Sequence, residues 1–356
     1  MMIFDKKLLH WYLEHKRTMP WRQTKNPYNI WLSEIMLQQT RVEQGLPYYL
    51  KFIETFPTIF DLANASEEKV LKLWQGLGYY SRARNLHYTA KYVAEECKGI
   101  FPNTYKGLLQ LKGVGDYTAS AMASICYNEA TPVVDGNVYR VLSRYYGINT
   151  PINSSQGIKE FKQLATQVMN TKTPGEYNQA IMEFGAIQCK PGTPDCSVCP
   201  LNDSCVALET QQIGALPVKL KKVKVTKKYF NYLFFIINGS KTIIQQRTGK
   251  GIWQNMYEFP LIASLQPMKE TAIKASEEFK QLLTTAPHLC HKWNEEVTIH
   301  KLSHQHLYTN FYIIEMDSTP IITETHKIID LAKVSDYPVP VLISNFIESF
   351  NSTQVP

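Results

Sequence analysis

The spacing of apolar residues divides the chain into a helical part and a part rich in strands. Through residues 1–205, apolar side chains recur every three to four positions, which is the period of an amphipathic α-helix. Prolines interrupt this pattern at several points. The spacing predicts helices over residues 4–15, 30–39, 46–54, 67–74, 82–96, 117–125, 137–145, 157–169 and 177–187. We therefore expect an all-α domain over residues 1–205.

After residue 228 the pattern changes to short runs of β-branched and aromatic residues. These runs predict strands over residues 229–238, 241–246, 297–302 and 307–316. Helical spacing returns over residues 269–283 and 341–350. The mixture predicts a small α+β domain over residues 229–356.

Residues 206–228 are predicted to form a linker between the two domains. Its end is rich in lysine, at Lys219, Lys221, Lys222, Lys224, Lys227 and Lys228. We interpret this run as a solvated tether, and contact with phosphate groups is the alternative.

The positive charge of the chain is unevenly distributed. The formal net charge is +7, but residues 227–356 carry 12 basic and 12 acidic side chains, so the excess lies in residues 1–226. A basic excess on one part of a protein favours a polyanionic partner. The apolar and charged contents, 44% and 19%, are typical of globular proteins. The N-terminus has no signal-peptide layout and no apolar run is long enough to cross a bilayer, so we expect a cytoplasmic protein.

A glycine-rich turn is followed by a carboxylate. Gly113, Val114 and Gly115 lie between two helical patterns, over residues 104–110 and 117–126. Such a hairpin lets backbone N–H groups at a helix N-terminus approach a phosphate. Asp135 then stands at the predicted N-cap of a helix over residues 136–146. This arrangement favours an enzyme that acts on nucleic acid, although a tight helix–helix turn is the commoner origin of such short glycine motifs.

Four of the seven cysteines fall within 17 residues, with the spacing C-x6-C-x2-C-x5-C. In a chain without a secretion signal this cluster predicts a metal site and not a disulfide framework. Thiolates suit zinc or an iron–sulfur cluster, and the spacing alone does not choose between them.

Two carboxylates are candidates for acid–base chemistry. Glu34 lies three to four residues from Ile30, Trp31 and Leu37 on a predicted helix, hence beside an apolar stripe. Burial would raise its pKa, as a general acid requires, while a surface position is the alternative. Asp135 would be the second carboxylate, since a pair of them flanks the bond that glycosidases cleave.

Together these features resemble the helix-hairpin-helix DNA glycosylase superfamily, and within it the adenine DNA glycosylases. The resemblance runs through nearly the whole chain. It is strongest over residues 19–22, 31–40, 76–86, 111–119 and 134–140 and at the four cysteines. It implies an all-α helix-hairpin-helix glycosylase domain with an iron–sulfur cluster loop over residues 189–205, followed by a C-terminal α+β Nudix-like domain. The implied ligands of a [4Fe–4S] cluster are Cys189, Cys196, Cys199 and Cys205.

The resemblance also implies catalytic roles for four residues. Glu34 would protonate the adenine ring at N7, and Asp135 would stabilise the oxocarbenium-like centre. Asn137 would position the reacting groups. Tyr117 stands where the related endonuclease III-like enzymes have a nucleophilic lysine, and a phenol cannot form a Schiff base. We therefore expect base excision without an efficient strand-cleaving step.

DNA-binding residues follow from the same resemblance. The residues that would line the adenine pocket are Arg17, Trp21 and Arg22. Those that would wedge into the duplex where the base leaves are Gln39 and Tyr79. The phosphate backbone would be held by the hairpin glycines, Gly113 and Gly115.

The C-terminal domain matches Nudix landmarks at residues 251–253 and 257–260 but lacks the glutamate-rich metal box, so we do not expect pyrophosphatase activity. Ser303 and His304 match a loop that recognises 8-oxoguanine. Leu302 departs from the family, which more often has an aromatic residue at that place.

The implied function is a monomeric, monofunctional glycosylase that excises adenine mispaired with 8-oxoguanine or guanine in double-stranded DNA, associated with the nucleoid of a bacterium. Two alternatives stay open. An endonuclease III-like glycosylase/lyase would need a lysine at position 117. A non-catalytic mismatch-binding protein would not need both Glu34 and Asp135.

Overall fold

The computed structural model describes residues 2–220 and 225–354. Three lysines of the predicted linker lie outside the described residues: Lys221, Lys222 and Lys224. The described chain forms two compact units. Unit 1 comprises residues 2–64 and 85–220, and unit 2 comprises residues 65–84 and 225–354.

Unit 1 contains helices and no strand among its described residues. Its α-helices are α1 (Met2–His15), α2 (Pro27–Leu37), α3 (Val42–Thr55), α4 (Ile59–Asn64), α7 (Tyr105–Leu108), α8 (Asp116–Tyr127), α9 (Gly136–Tyr146), α10 (Ser155–Val168), α11 (Pro174–Ile187) and α12 (Val206–Glu209). Short 3-10 helices cover Pro20–Arg22 and Asn202–Ser204. Helix α6 (Ser81–Glu95) begins in unit 2 and continues into unit 1.

Helix α11 is central to unit 1 because it packs against α1, α8 and α9. Its Phe184 and Tyr177 are almost fully buried, and α2 contributes the fully buried Trp31. Burying a side chain of this size stabilises a fold by roughly 1.5–3 kcal/mol. These buried aromatic side chains help to hold together the helices that carry the candidate catalytic residues.

Unit 2 is built around one eight-stranded sheet together with α5 (Glu67–Leu73). Its strands are β1 (Thr226–Ile237), β2 (Lys241–Gln246), β3 (Tyr257–Glu258), β4 (Leu261–Ser264), β5 (Leu289–Lys292), β6 (Thr298–Lys301), β7 (Gln305–Met316) and β8 (His326–Asp330). Its remaining helices are α13 (Glu270–Ala275), α14 (Glu277–Leu282), a 3-10 helix (Leu331–Asp336) and α15 (Val341–Gln354).

The long strands β1 and β7 pair in parallel over their full length at the centre of the sheet. The order is β3-β2-β1-β7-β5, with β4 also on β1, β6 on β7 and β8 on β2. One sheet face packs on α13 and α14 through residues such as Phe235, Ile273 and Phe279. The other packs on α15, where the rings of Phe311 and Phe346 stack 4.1 Å apart.

The nine helices predicted in residues 1–205 are all present, and the predicted strands correspond to β1, β2, β6 and β7. Two helical predictions are wrong in extent. The pattern over residues 104–110 yields only the single turn α7, because the chain enters the glycine hairpin directly after it. The helix predicted over residues 269–283 is broken at Ser276, which adopts extended backbone and caps α14 by accepting a hydrogen bond from the Phe279 N–H.

No helix in the described part of the chain combines the length and apolar character needed to span a bilayer.

Helices α9 and α11 are tightly packed at Gly185. A Cβ atom added there would lie 2.7 Å from the Cβ of Asn137 and 2.9 Å from its carbonyl oxygen. Real Cβ contacts are not that short, so the two backbones would have to separate. Glycine is therefore required here for packing and not for backbone freedom.

We predict that Gly185→Ala destabilises the protein by roughly 1–3 kcal/mol, because overpacking pushes α9 away from α11. Urea unfolding curves measure this change. Gly214→Ala is the matched control, since a Cβ at Gly214 meets nothing within 4 Å. Equal midpoints for the two variants would show that the contact is not tight.

Candidate active site

Glu34 lies on the buried side of α2, as its sequence neighbours suggest. It is only 8% exposed, and the residues before and after it on the helix are buried too. Burial raises the pKa of Glu34 to about 7; a hydrogen bond with Tyr117 and the charge of Arg22 oppose the rise, while Asp135 adds to it. A carboxyl group with a pKa near 7 keeps its proton in a large share of the molecules at neutral pH and can donate it.

Tyr117 stands in the first turn of α8, next to Glu34. Burial raises the pKa of its phenol well above 10, and the nearby carboxyl groups of Glu34 and Asp135 raise it further. Its hydroxyl donates to the sulfur of Met182 at 3.2 Å. The phenol is thus held neutral beside the two carboxyl groups.

Asp135 is the N-cap of α9, as predicted. Its Oδ1 accepts hydrogen bonds from the N–H groups of Asn137 at 2.9 Å and Val138 at 2.8 Å, and the Asn137 side chain donates to Oδ2 at 2.8 Å. Burial raises the pKa of Asp135, while these three hydrogen bonds act against the rise. The structure therefore brings Glu34, Tyr117, Asp135 and Asn137 together.

Arg140 connects this group to the cysteine loop. Its guanidinium donates to the Asn137 side-chain oxygen at 2.8 Å and to the carbonyl oxygens of Cys189 at 2.7 Å and Gly185 at 2.5 Å. Because Asn137 in turn donates to Asp135, a continuous hydrogen-bond chain runs from the backbone of Cys189 to the Asp135 carboxylate. Arg140 is a positioning residue, since it acts on the carboxylate through Asn137.

The chain segment before Asp135 is fixed by Asn178 of α11. This fully buried amide accepts from the Val133 N–H at 3.1 Å and donates to the Thr131 carbonyl at 2.9 Å and the Ser124 hydroxyl at 2.8 Å. Both the oxygen and the nitrogen of the amide form hydrogen bonds, so the backbone that leads to the N-cap residue Asp135 is held in one conformation.

Arg17 and Arg22 are held by a carboxylate that the sequence analysis missed. The side chain of Glu183 is 1% exposed; it accepts from Arg17 at 2.7 and 2.9 Å and from Arg22 at 2.8 Å. Burial alone would raise the pKa of Glu183, but the two arginines lower it to about 2. The third predicted pocket residue, Trp21, is buried with its ring edge-on to Tyr49.

The hairpin has the geometry that its glycines suggest. Gly113 has φ +82°, and a Cβ there would lie 2.8 Å from the Cβ of Asn85. Gly115 is the N-cap of α8 with open space where a side chain would be. The buried Thr89 hydroxyl donates to the Lys112 carbonyl at 2.8 Å and anchors the turn.

Gln39 and Tyr79, the predicted wedge residues, both adopt left-handed backbone, with φ 58° and 49°. In unit 1, Gln39 lies just beyond the C-cap of α2. In unit 2, Tyr79 is 48% exposed and its hydroxyl lies 2.8 Å from the hydroxyl of Ser303. Ser303 and His304 form the exposed turn between β6 and β7. The same unit has a cavity of about 550 Å³ lined by Tyr79, Trp253 and this turn.

The four clustered cysteines lie near one another at the end of α11 and in the loop that follows. The thiols of Cys189, Cys196 and Cys205 are close enough to that of Cys199 to influence its pKa, which burial raises to about 11. Within the described residues, no three His, Cys, Asp or Glu side chains converge on a site for one metal ion.

The sequence analysis missed three buried polar residues, Glu183, Arg140 and Asn178. They lie on helices whose apolar spacing predicts only a role in the hydrophobic core. Glu183 shows the same signal that singled out Glu34, a carboxylate between apolar helix neighbours. Arg140 and Asn178 show only a polar side chain on a helix, and nothing in the sequence identifies their partners.

Two parts of the chain match known protein families. Residues 32–167 match the model of the HhH-GPD superfamily base excision DNA repair proteins, and residues 232–349 match the NUDIX domain. The expected fold class, a helix-hairpin-helix domain followed by a Nudix-like domain, is thereby confirmed.

Several relatives of the chain are named adenine DNA glycosylase. The relative from Buchnera aphidicola subsp. Baizongia pistaciae is 35% identical, covering 92% of this chain and 90% of its own. The Homo sapiens protein is 46% identical over 60% of this chain and 41% of its own. A solved thermostable thymine-DNA glycosylase is similar with a TM-score of 0.55 and 28% identity, over 59% of this chain and 96% of that one.

The raised pKa of Glu34 predicts a specific dependence of stability on pH. Between pH 4.5 and 7 the folded protein keeps a proton on Glu34 that the unfolded chain has released. Stability therefore falls as the pH rises through this window, by roughly 3 kcal/mol in total, and the loss persists above it. Glu34→Gln removes this contribution.

Urea unfolding at pH 5 and pH 8 tests this prediction. The wild-type protein should lose more free energy of unfolding between the two pH values than Glu34→Gln does. Glu54→Gln, a change at an exposed glutamate of α3, should behave like the wild type. An equal loss of unfolding free energy in the wild type and Glu34→Gln would show that Glu34 has the same pKa in the folded and the unfolded protein.

Proposed function

Because this chain belongs to the adenine DNA glycosylase family, whose members hydrolyse N-glycosyl bonds, we propose that it excises adenine mispaired with 8-oxoguanine or guanine from double-stranded DNA and leaves an abasic site. The observation that carries the proposal is the grouping of a protonated Glu34, a neutral Tyr117 and the capped Asp135 in unit 1. Such a group supplies an acid for the leaving base and a carboxylate for the sugar.

In the proposed reaction Glu34 donates its proton to N7 of adenine as the N-glycosidic bond breaks. The ring then leaves as a neutral base, and positive charge develops on the sugar. Asp135 stabilises that charge from the opposite side, held in place by Asn137 and by the backbone N–H groups of α9. Water then adds to the sugar and gives up a proton to the Glu34 carboxylate, which leaves a neutral abasic site and restores the acid.

Tyr117 supports a monofunctional reaction. A lyase needs an amine that attacks the sugar and forms an imine, and the phenol has none. The phenol of Tyr117 instead interacts with Glu34 and affects its pKa, so we assign residue 117 a positioning role. This argues against the endonuclease III-like alternative.

Selectivity must come from the opposite base, because the adenine itself is undamaged. We assign base reading to Ser303 and His304 and duplex wedging to Tyr79 and Gln39. This assignment is supported in unit 2 by the hydroxyl of Tyr79, which lies 2.8 Å from the hydroxyl of Ser303. DNA as substrate would also place the protein at the nucleoid.

The cysteine loop fits a [4Fe–4S] cluster, for which Cys189, Cys196, Cys199 and Cys205 would supply the four thiolate ligands. The Arg144 guanidinium approaches the sulfur of Cys189 to 3.5 Å, and backbone N–H groups of Leu201 and Leu208 donate to the sulfurs of Cys199 and Cys205. These donors would stabilise the anionic sulfurs of a bound cluster. The cluster would hold the loop that Arg140 connects to Asp135.

A panel of duplexes tests the proposed reaction. Duplexes carry adenine opposite 8-oxoguanine, opposite guanine or opposite thymine, and a further one carries thymine glycol. We expect nicking of the two mispaired adenine substrates only after alkali, which cleaves abasic sites. Nicking without alkali, or action on thymine glycol, would instead indicate the glycosylase/lyase.

Glu34→Gln is the control in that assay, because it keeps the shape of the side chain but cannot donate the proton. Excision should fall at least 100-fold while binding to the mispaired duplex survives. Near-normal turnover would remove Glu34 from the proposed role, and absent turnover by the wild type would favour a mismatch-binding protein.

The purified protein should contain about four iron atoms per chain and show a broad visible absorbance band. Cys199→Ser should lower both the iron content and the absorbance, because it removes one ligand. Cys97→Ser, at a cysteine outside the loop, is the matched control. A colourless protein that contains zinc would contradict the cluster.

A further inference from the structure

One surface of unit 2 combines stacked tyrosines with lysines. It lies at the end of the central sheet where β1 and β7 begin. Residues in register across β1, β7 and β6 have their side chains on the same face. The first row across these strands is Lys227, His306 and Lys301, and the second is Tyr229, Tyr308 and Ile299. We call these six residues the tyrosine–lysine face.

The face is open to solvent, whereas the rest of the same sheet face is covered. Further along the strands, Leu233 and Tyr312 are buried under α13 and α14. Here Ile299 is 46% exposed, both lysines are exposed and both tyrosines are half-buried. The covering helices therefore leave one end of the sheet uncovered.

The tyrosines form an ordered aromatic platform. The rings of Tyr229 and Tyr308 stack with centroids 5.1 Å apart and planes 26° from parallel. The ammonium group of Lys227 lies 5.6 Å from the Tyr308 ring. None of the register partners in the two rows is a carboxylate, although residues 227–356 are neutral as a whole. The local charge is positive beside an aromatic surface.

The face continues directly into the turn that holds Ser303 and His304. Lys301 ends β6 before this turn, His306 follows it on β7, and the Thr226 N–H of β1 donates to the His304 carbonyl at 3.2 Å. A DNA strand that reached the turn would therefore meet the tyrosine–lysine face next.

We propose that the tyrosine–lysine face binds single-stranded DNA, with unpaired bases on Tyr229 and Tyr308 and backbone phosphates on Lys227 and Lys301. Aromatic rings beside cations are the general means of holding single strands without sequence preference. The inference rests on the proposed function only in taking DNA as the ligand. The binding surface is distinct from Glu34 and Asp135, which lie in unit 1.

Binding of a fluorescent oligothymidine of about 12 nucleotides tests the proposal, by anisotropy over a series of salt concentrations. Tyr308→Ala should weaken binding about ten-fold, and Tyr308→Phe should keep most of the affinity because the ring remains. The double variant Lys227→Gln/Lys301→Gln should reduce the slope of log affinity against log salt by about 1.4. Lys241→Gln, at an exposed lysine at the start of β2, should leave the slope unchanged.

Equal affinities and slopes in wild type, Tyr308→Ala and the double lysine variant would overturn the proposal. The lysine variants change only exposed side chains, so the test survives if Tyr308→Ala fails to fold. Excision by the wild type, measured on the same preparations, separates the two proposals. If the wild type excises adenine but the variants bind the oligothymidine as the wild type does, this inference alone is overturned. If the wild type does not excise adenine but the variants bind more weakly or with a smaller salt slope, the proposed function alone is overturned.

Discussion

The close packing of α9 on α11 is the contact on which the site in unit 1 depends. Where Gly185 lets the two backbones meet, Asn137 comes to lie between the Asp135 carboxylate and the Arg140 guanidinium. Burying two carboxyl groups and a phenol together is unfavourable, because each is desolvated and the acids repel one another. The packing of the helices must offset that cost, and it fixes the groups in one arrangement.

Much of the fold was predictable from the sequence because it rests on local patterns. The helices of unit 1 follow from apolar spacing, and the N-cap role of Asp135 follows from its place before a helix. Strands β3, β4, β5 and β8 were not predicted, since they are short and paired by distant residues. The break at Ser276 was missed because a serine cap inside an apolar pattern resembles an ordinary helical position.

The candidate site was predictable in part for the same reason. Glu34 and Asp135 could be chosen individually from their neighbours, but their proximity depends on how α2, α8 and α9 pack. Arg140 and Glu183 act through partners more than 40 residues away in the chain, at Cys189 and Arg17. No local pattern encodes such a pairing. Ser303 and His304 came only from the family resemblance, because an exposed Ser-His turn has no distinctive physical signature.

A buried ion pair supports the Nudix-like sheet of unit 2. Glu258 is almost fully buried, and its oxygens accept hydrogen bonds from Arg247, Tyr232 and Gln245. The carboxylate is thereby committed to an internal ion pair and supports the segment that carries Trp253. The sheet acts as a rigid frame for the exposed turn at residues 303 and 304.

The left-handed backbone at Gln39 and Tyr79 has a consequence for binding. Non-glycine residues in this region cost about 1 kcal/mol or more, and that cost is met when the chain folds. In the proposed wedging role, residues whose backbone is already shaped would lose little conformational freedom on entering a duplex. The free energy released on association would then be available to unstack a base.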